Sequence, residues 1–210
     1  MASRSVSHVM WFDLETTGLD IHTLRVMEMA AVLCTIDEPL TPVAADQWVF
    51  RLDVDVYSEL LKDSFVVGMH NDTGLVGDSM RSEIPATEAG NLLNEFMNCA
   101  APDVERARLG GTGVSTFDLQ VLRNGRDFQR FNVGDRLDHG CVDMGCARRN
   151  LDTAGHSLSW AHKPSPQIVA EIQATTVGDM ESGRNLTHRA MWDVAIGMTN
   201  FRMYSESLAP

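Results

Sequence analysis

The chain has 210 residues, 44% of them hydrophobic, with 17 basic and 29 acidic side chains and a formal net charge of −12. That length suits one domain, here spanning 1–210, and buries a core without covalent staples. The acidic balance excludes a protein that grips long duplexes through a basic stripe, whereas a short oligonucleotide, with few phosphates, needs few cations.

The opening stretch MASRSVSHVMWF lacks the apolar core of a signal peptide. No run approaches the ~18 apolar residues of a membrane span. A cytoplasmic protein with no membrane partner is therefore expected. Cys34, Cys99, Cys141 and Cys146 read as free thiols of a reducing compartment. Cys141 and Cys146, with His139 nearby, do not have the spacing of a common zinc site.

In chain order, residues 9–13 form a short apolar run before a Thr-Thr-Gly turn signal and read as a buried strand. Residues 26–35 (VMEMAAVLCT) fit strand or helix by periodicity, and their position after a turn and their β-branched residues favour a strand. A third strand lies within 43–52. Residues 57–65 and 87–99 read as helices, the second with Leu92, Leu93, Phe96 and Met97 in one buried stripe. A strand at 105–109, the turn GGTG, a helix over about 116–123 and a fifth strand at 137–142 follow. The stretch 153–184 is a polar insertion, within which Ser165 and Pro166 start a short helix ending near Thr176. A last helix over about 187–204 places Ala190, Val194, Met198 and Phe201 on one face. Three strands followed by alternating helices and strands make an α/β protein with one mixed five-stranded sheet flanked by helices.

Asp13 and Glu15, at i and i+2 on the first strand, point to one face. Two such acids repel unless a cation lies between them, and their hard oxygens suit Mg²⁺ or Mn²⁺; a solvated acidic turn is the plain alternative. Asp118 follows GGTGVSTF, where Ser115 and Asp118 also match a capping box. His188 and Asp193 are five residues apart, about 500° of helix, and do not share a face within one regular helix. They converge on one cleft if His188 sits in the first turn of the helix or just before it, with Asn185 or Thr187 as its cap.

The combination is more specific than its parts. WFDLETTGLD, TFDLQVL and HRAMWDV resemble the three motifs of the DEDDh 3′→5′ exonucleases, and VMEMAAV resembles their second strand. The resemblance implies an RNase H-like fold and carries the catalytic set onto Asp13, Glu15, Asp118, His188 and Asp193. A second segment, FVVGMHNDTGL, resembles the W-N-x3-H-x2-S-G-L stretch of oligoribonuclease, with Phe65 for the Trp, Val66 for the Asn and Thr73 for the Ser. That likeness implies that Leu19 wedges between bases and that Phe65 and His70 hold the terminal nucleotide, an aromatic face stacking a base whatever its identity. Thr16 joins the substrate-binding set, as does Ser115, which with Arg136 is a loose candidate for the family's phosphate-cap and dimer-derived residues. The family's G-N-S segment is replaced here by GGTGVSTF, and 153–184 has no counterpart.

The implied chemistry is hydrolysis of short single-stranded RNA or DNA from its 3′ end to nucleoside 5′-monophosphates. Two divalent ions would be held, with Asp13 bridging them, Glu15 and Asp193 completing one site, and Asp118 acting directly or through water. His188 would be the base, giving a rate that rises from about pH 6 to about 8. The loop GDMESGRN before His188 is expected to close on substrate. The resemblance also implies a homodimer, although the apolar face of the last helix suits core packing equally well. Two alternatives stand beside this reading: a broader DEDDh exonuclease for DNA or RNA ends, and a catalytically silent binding module.

Overall fold

The computed structural model describes residues 6–100, 106–155, 159–176 and 188–208. Strand β1 (Val6–Thr16) lies at the centre of a mixed sheet, antiparallel to β2 (Val26–Thr35) and parallel to β4 (Arg106–Gly111). Strand β3 (Pro42–Val49) pairs antiparallel with β2, and β5 (Leu137–Asp143) runs parallel to β4. The order is β3-β2-β1-β4-β5. Inner strands covered on both faces need apolar residues at successive positions, which is why β2 reads as a nearly continuous apolar run.

Strand alternation sorts these side chains into two cores. Met10, Phe12 and Leu14 of β1 join Met27, Met29 and Leu33 of β2 on one face. Val9 and Trp11 join Ala30, Val32 and Cys34 on the other. The first face is covered by α1 (Val54–Leu60), α2 (Ser64–Asp72), α3 (Leu75–Arg81), α4 (Ala89–Ala100) and α5 (Asp118–Asn124). The short α6 (Val133–Arg136) leads into β5. The second face is covered by α7 (Met144–Thr153), α8 (Pro166–Thr175) and α9 (Ala190–Ser207), the last through Met191, Val194, Ala195 and Met198. Full burial of Trp11 and Phe12, one on each face, is worth roughly 2–3 kcal/mol apiece.

The mixed sheet flanked by helices matches the sequence reading, with local differences. The stretch 57–65 is two helices. Asp63 accepts hydrogen bonds from the backbone N–H groups of Phe65 (3.0 Å) and Val66 (3.2 Å) and so caps a new helix there. Helix α9 begins at Ala190 because His188 has φ 62° and Arg189 is extended. Helices α3 and α7 were not expected. Asp143 caps α7 by accepting the N–H of Cys146 at 3.0 Å. Of the polar insertion, 166–175 packs against the sheet as α8, while 156–158 and 177–184 lie outside the described residues. Among the described residues no helix is long and apolar enough to cross a membrane.

Candidate active site

The alternation that sends Val9 and Trp11 toward α9 continues to Asp13 and Glu15. The first turn of α9 brings Asp193 to the same place. One carboxylate oxygen from each of these three residues lies within 4.8 Å of the others, the one such His/Cys/Asp/Glu group among the described residues. Glu15 is buried and the other two are half-buried. Cys141, Cys146 and His139 do not assemble into a comparable group, and all four cysteines are free.

Asp118 lies outside that 4.8 Å group and acts on Asp13 from the opposite layer. After β4 the chain passes through Gly111, where a Cβ would lie 2.7 Å from the carbonyl oxygen of Phe12. Only glycine lets β4 turn this close to the strand that carries Asp13. Asp118 heads α5 and is buried, and its Oδ1 has no hydrogen-bond partner. The capping box does not form. Phe117 occupies the cap position, and the Ser115 hydroxyl donates instead to Asp143, which also accepts the N–H groups of Gly113 (3.1 Å) and Ser115 (3.0 Å).

The electrostatics follow from burial and crowding. Burial, then Asp118, Asp193 and Glu15, push the Asp13 carboxyl well above the usual range. Burial, with Asp193 and Glu28, raises Glu15 to about 9, against the pull of Arg189. Burial raises Asp118 to about 7 although the N–H groups of Leu14 and Asp118 itself oppose it. Asp193 is raised to about 6 by burial, a rise that His188 opposes and Glu28 augments. Four acids with one unpartnered buried oxygen are a donor set that fits a hard divalent cation. Such a cation supplies the positive charge that lets all four ionise together.

His188 is exposed and lies just before α9, outside the helix, and its charge opposes the rise at Asp193. The residues named as its cap, Asn185 and Thr187, lie outside the described residues, as does the loop expected to close on substrate. Behind the cluster is a network the sequence reading missed. Glu28 is 1% exposed and lies opposite Glu15 in the β1–β2 register. Arg189 grips it through Nε (3.0 Å to each oxygen) and Nη2 (2.7 Å), and reaches Asp78 through Nη1 at 2.8 Å. A single acid inside an apolar strand, as in VMEMAAV, is the signal that could have flagged Glu28.

The proposed substrate contacts divide. Leu19 and Phe65 are each 77% exposed, free to meet a base. His70 is fully buried in α2 and donates its Nε2–H to the Thr16 carbonyl at 2.9 Å, so it braces the end of β1 and does not face solvent. Burial lowers its pKa, keeping the ring neutral. Thr16 is also buried, its hydroxyl donating to the Gly18 carbonyl at 2.7 Å. The Ser115 hydroxyl is taken by Asp143. Arg136 donates to Asn98 at 2.6 Å, tying α6 to α4 away from the acids. Each of these four has a polar group engaged within the fold, while His70 Nδ1 has no hydrogen-bond partner.

No family model matches the chain. An oligoribonuclease of Mycobacterium leprae is 22% identical over 196 residues, covering 93% of this chain and 79% of that protein. A probable oligoribonuclease of Drosophila melanogaster is 27% identical over 117 residues, 55% of this chain and 53% of that protein. Among solved structures, the zinc-bound complex of E. coli exonuclease I with single-stranded DNA has a TM-score of 0.62 at 12% identity, covering 97% of this chain and 41% of that one. The chain thus spans less than half the length of that exonuclease I chain. The likeness shows an RNase H-like fold. Sequence and fold comparisons both agree with the resemblance to DEDDh exonucleases, with oligoribonuclease among the relatives.

Proposed function

We propose that this protein is a divalent-cation-dependent 3′→5′ exonuclease that hydrolyses short single-stranded oligonucleotides to nucleoside 5′-monophosphates. The observation that carries the reading is the convergence of one oxygen each from Asp13, Glu15 and Asp193 within 4.8 Å, with the buried Asp118, whose Oδ1 has no hydrogen-bond partner, acting on Asp13. Mg²⁺ or Mn²⁺ held there, two ions in the reading taken from the resemblance, would supply charge neutralisation and Lewis acidity at the scissile phosphate.

The chain's own residues supply the rest. Asp13, Glu15, Asp118 and Asp193 hold the cation site. His188, exposed beside Asp193, takes the proton of the attacking water. Leu19 and Phe65 offer apolar faces to the terminal bases. His70 braces the Thr16 carbonyl at the end of β1, and Ser115 bonds Asp143. We extend the reading to 1–210 as one exonuclease domain, cytoplasmic in keeping with its free thiols, and take the homodimer from the resemblance; sedimentation equilibrium tests the last point.

A ladder of 5′-labelled RNA and DNA, from two to about twenty nucleotides, tests the substrate class. It is incubated with Mg²⁺ or Mn²⁺ beside Asp193→Ala. Cleavage confined to the shortest RNA supports the oligoribonuclease-like form. A second reading, a broader exonuclease, is favoured by one feature: His70, expected at the terminal nucleotide, is buried, while Leu19 and Phe65 stand exposed. Comparable trimming of the long strands would select it. No metal-dependent release by the wild-type protein would sink both.

A further inference from the structure

Arg189 is not among the residues that hold a cation, yet it lies between the base and an acid of the site, one residue from His188 and four from Asp193. We propose that Arg189 is a positioning residue, which, clamped by Glu28 and Asp78, fixes His188 over the acid cluster; the inference rests on the exonuclease reading above.

Three observations carry it. The first is the grip. The guanidinium meets both Glu28 oxygens through Nε and Nη2, while Nη1 donates to Asp78 of α3, so three separate elements are tied at one point. A planar fork fixes direction as well as distance, which a lysine would not do.

The second is the start of α9. Arg189 occupies the cap position and makes no side-chain cap bond of its own. Glu28 replaces it from β2, accepting the Ala190 N–H at 2.9 Å. The Arg189 carbonyl then accepts the Asp193 N–H at 3.0 Å, the bond that sets the first turn. One clamp therefore fixes both the segment that presents His188 and the turn that presents Asp193. His188 itself has φ 62°, a left-handed backbone that a non-glycine residue keeps only where its surroundings hold it.

The third is charge. Glu28 lies directly across from Glu15 in the β1–β2 register, so a fifth acid borders the cluster. Arg189 meets it with the opposite charge, Nη2 lying 2.7 Å from its carboxylate, and that ion pair holds Glu28 turned toward the start of α9.

The test separates positioning from plain structural support. Replacing both partners of a buried ion pair by apolar residues of similar size often preserves stability. The double variant Glu28→Met/Arg189→Met should therefore still fold, by thermal melt. Its kcat on a dinucleotide should fall on the order of 100-fold, the effect of a misplaced reacting group, with KM changed less than about 3-fold. Arg189→Lys keeps the charge without the fork and should fall at least about 10-fold in kcat. A folded double variant, or Arg189→Lys, with kcat within about 3-fold of wild type overturns the proposal; if the double variant does not fold, Arg189→Lys decides.

A second readout needs no turnover. The His188 ring proton signal, assigned with His188→Gln, should move when Asp193→Asn is introduced into the wild type, and should stay in place when it is introduced into Arg189→Lys. Equal movement in both overturns the clamp. If wild-type protein releases no nucleotide, the exonuclease reading fails, and this signal still reports whether Arg189 holds His188 beside Asp193.

Discussion

Replacing Asp193 by Asn should stabilise the metal-free protein at alkaline pH. The Asp193 carboxyl moves from an ordinary 3.8 to about 6 in the fold, burial being the main cause. Of the acids with a stated value in the cluster it is the lowest, beside about 7 for Asp118 and about 9 for Glu15, so it ionises first as pH rises. A group whose folded pKa is raised binds more protons folded than unfolded, so its contribution to stability is present below about 4 and is lost as pH climbs through about 6. The difference of about two pH units amounts to roughly 3 kcal/mol at pH 8. Asn removes that cost but forfeits about 0.5 kcal/mol of favourable charge at the start of α9. The expected gain of about 2.5 kcal/mol is roughly 5–10 °C in Tm for a chain of this size. Thermal melts in chelator, from pH 4 to 8.5, should show the two proteins together at the acid end and Asp193→Asn well above wild type at pH 8. Mn²⁺ at 100 times its Kd should then add about 2.7 kcal/mol to wild type and less to the variant, closing the gap. If Asp193→Asn melts at or below wild type at pH 8 without metal, the reasoning that the ionised cluster strains the fold is refuted.

Other outcomes follow from the same geometry. His188→Gln should lower kcat by about 10²–10⁴-fold while leaving the Mn²⁺-induced rise in Tm unchanged, measured by nucleotide release and melting in parallel. Leu19→Ala and Phe65→Ala remove exposed side chains, so Tm should stay put, while KM for a dinucleotide rises by the ~1–3 kcal/mol of a lost base contact; a fall in Tm with unchanged KM would mark both as structural. Arg25→Met should cost about 3–5 kcal/mol in urea unfolding, because it strands the buried Asp127 that Arg25 meets at 2.9 Å. A loss under 1 kcal/mol would mean that the Val26 N–H, at 3.0 Å, suffices for that carboxylate.

Much of the architecture was legible in the residues themselves. The strands at 26–35 and 137–142, the helix at 87–99 and the mixed α/β arrangement follow from periodicity and turn chemistry, which act over a few residues. The acids Asp13, Glu15, Asp118 and Asp193 were named from motif order, and strand alternation alone placed the first two on one face. Tertiary structure decided what each polar group was free to do. His70 and Thr16 bond each other at the end of β1, and Ser115 is taken by Asp143, because these partners are 54 and 28 residues apart in sequence. The break at Asp63 and the late start of α9 came from a competing cap and a left-handed residue, both smaller than any hydrophobic period can register. Glu28 and Arg189, 161 residues apart, show the limit most plainly. The sequence holds one acid in an apolar strand and one arginine beside a histidine, and only the packing of α9 across β2 turns them into a pair.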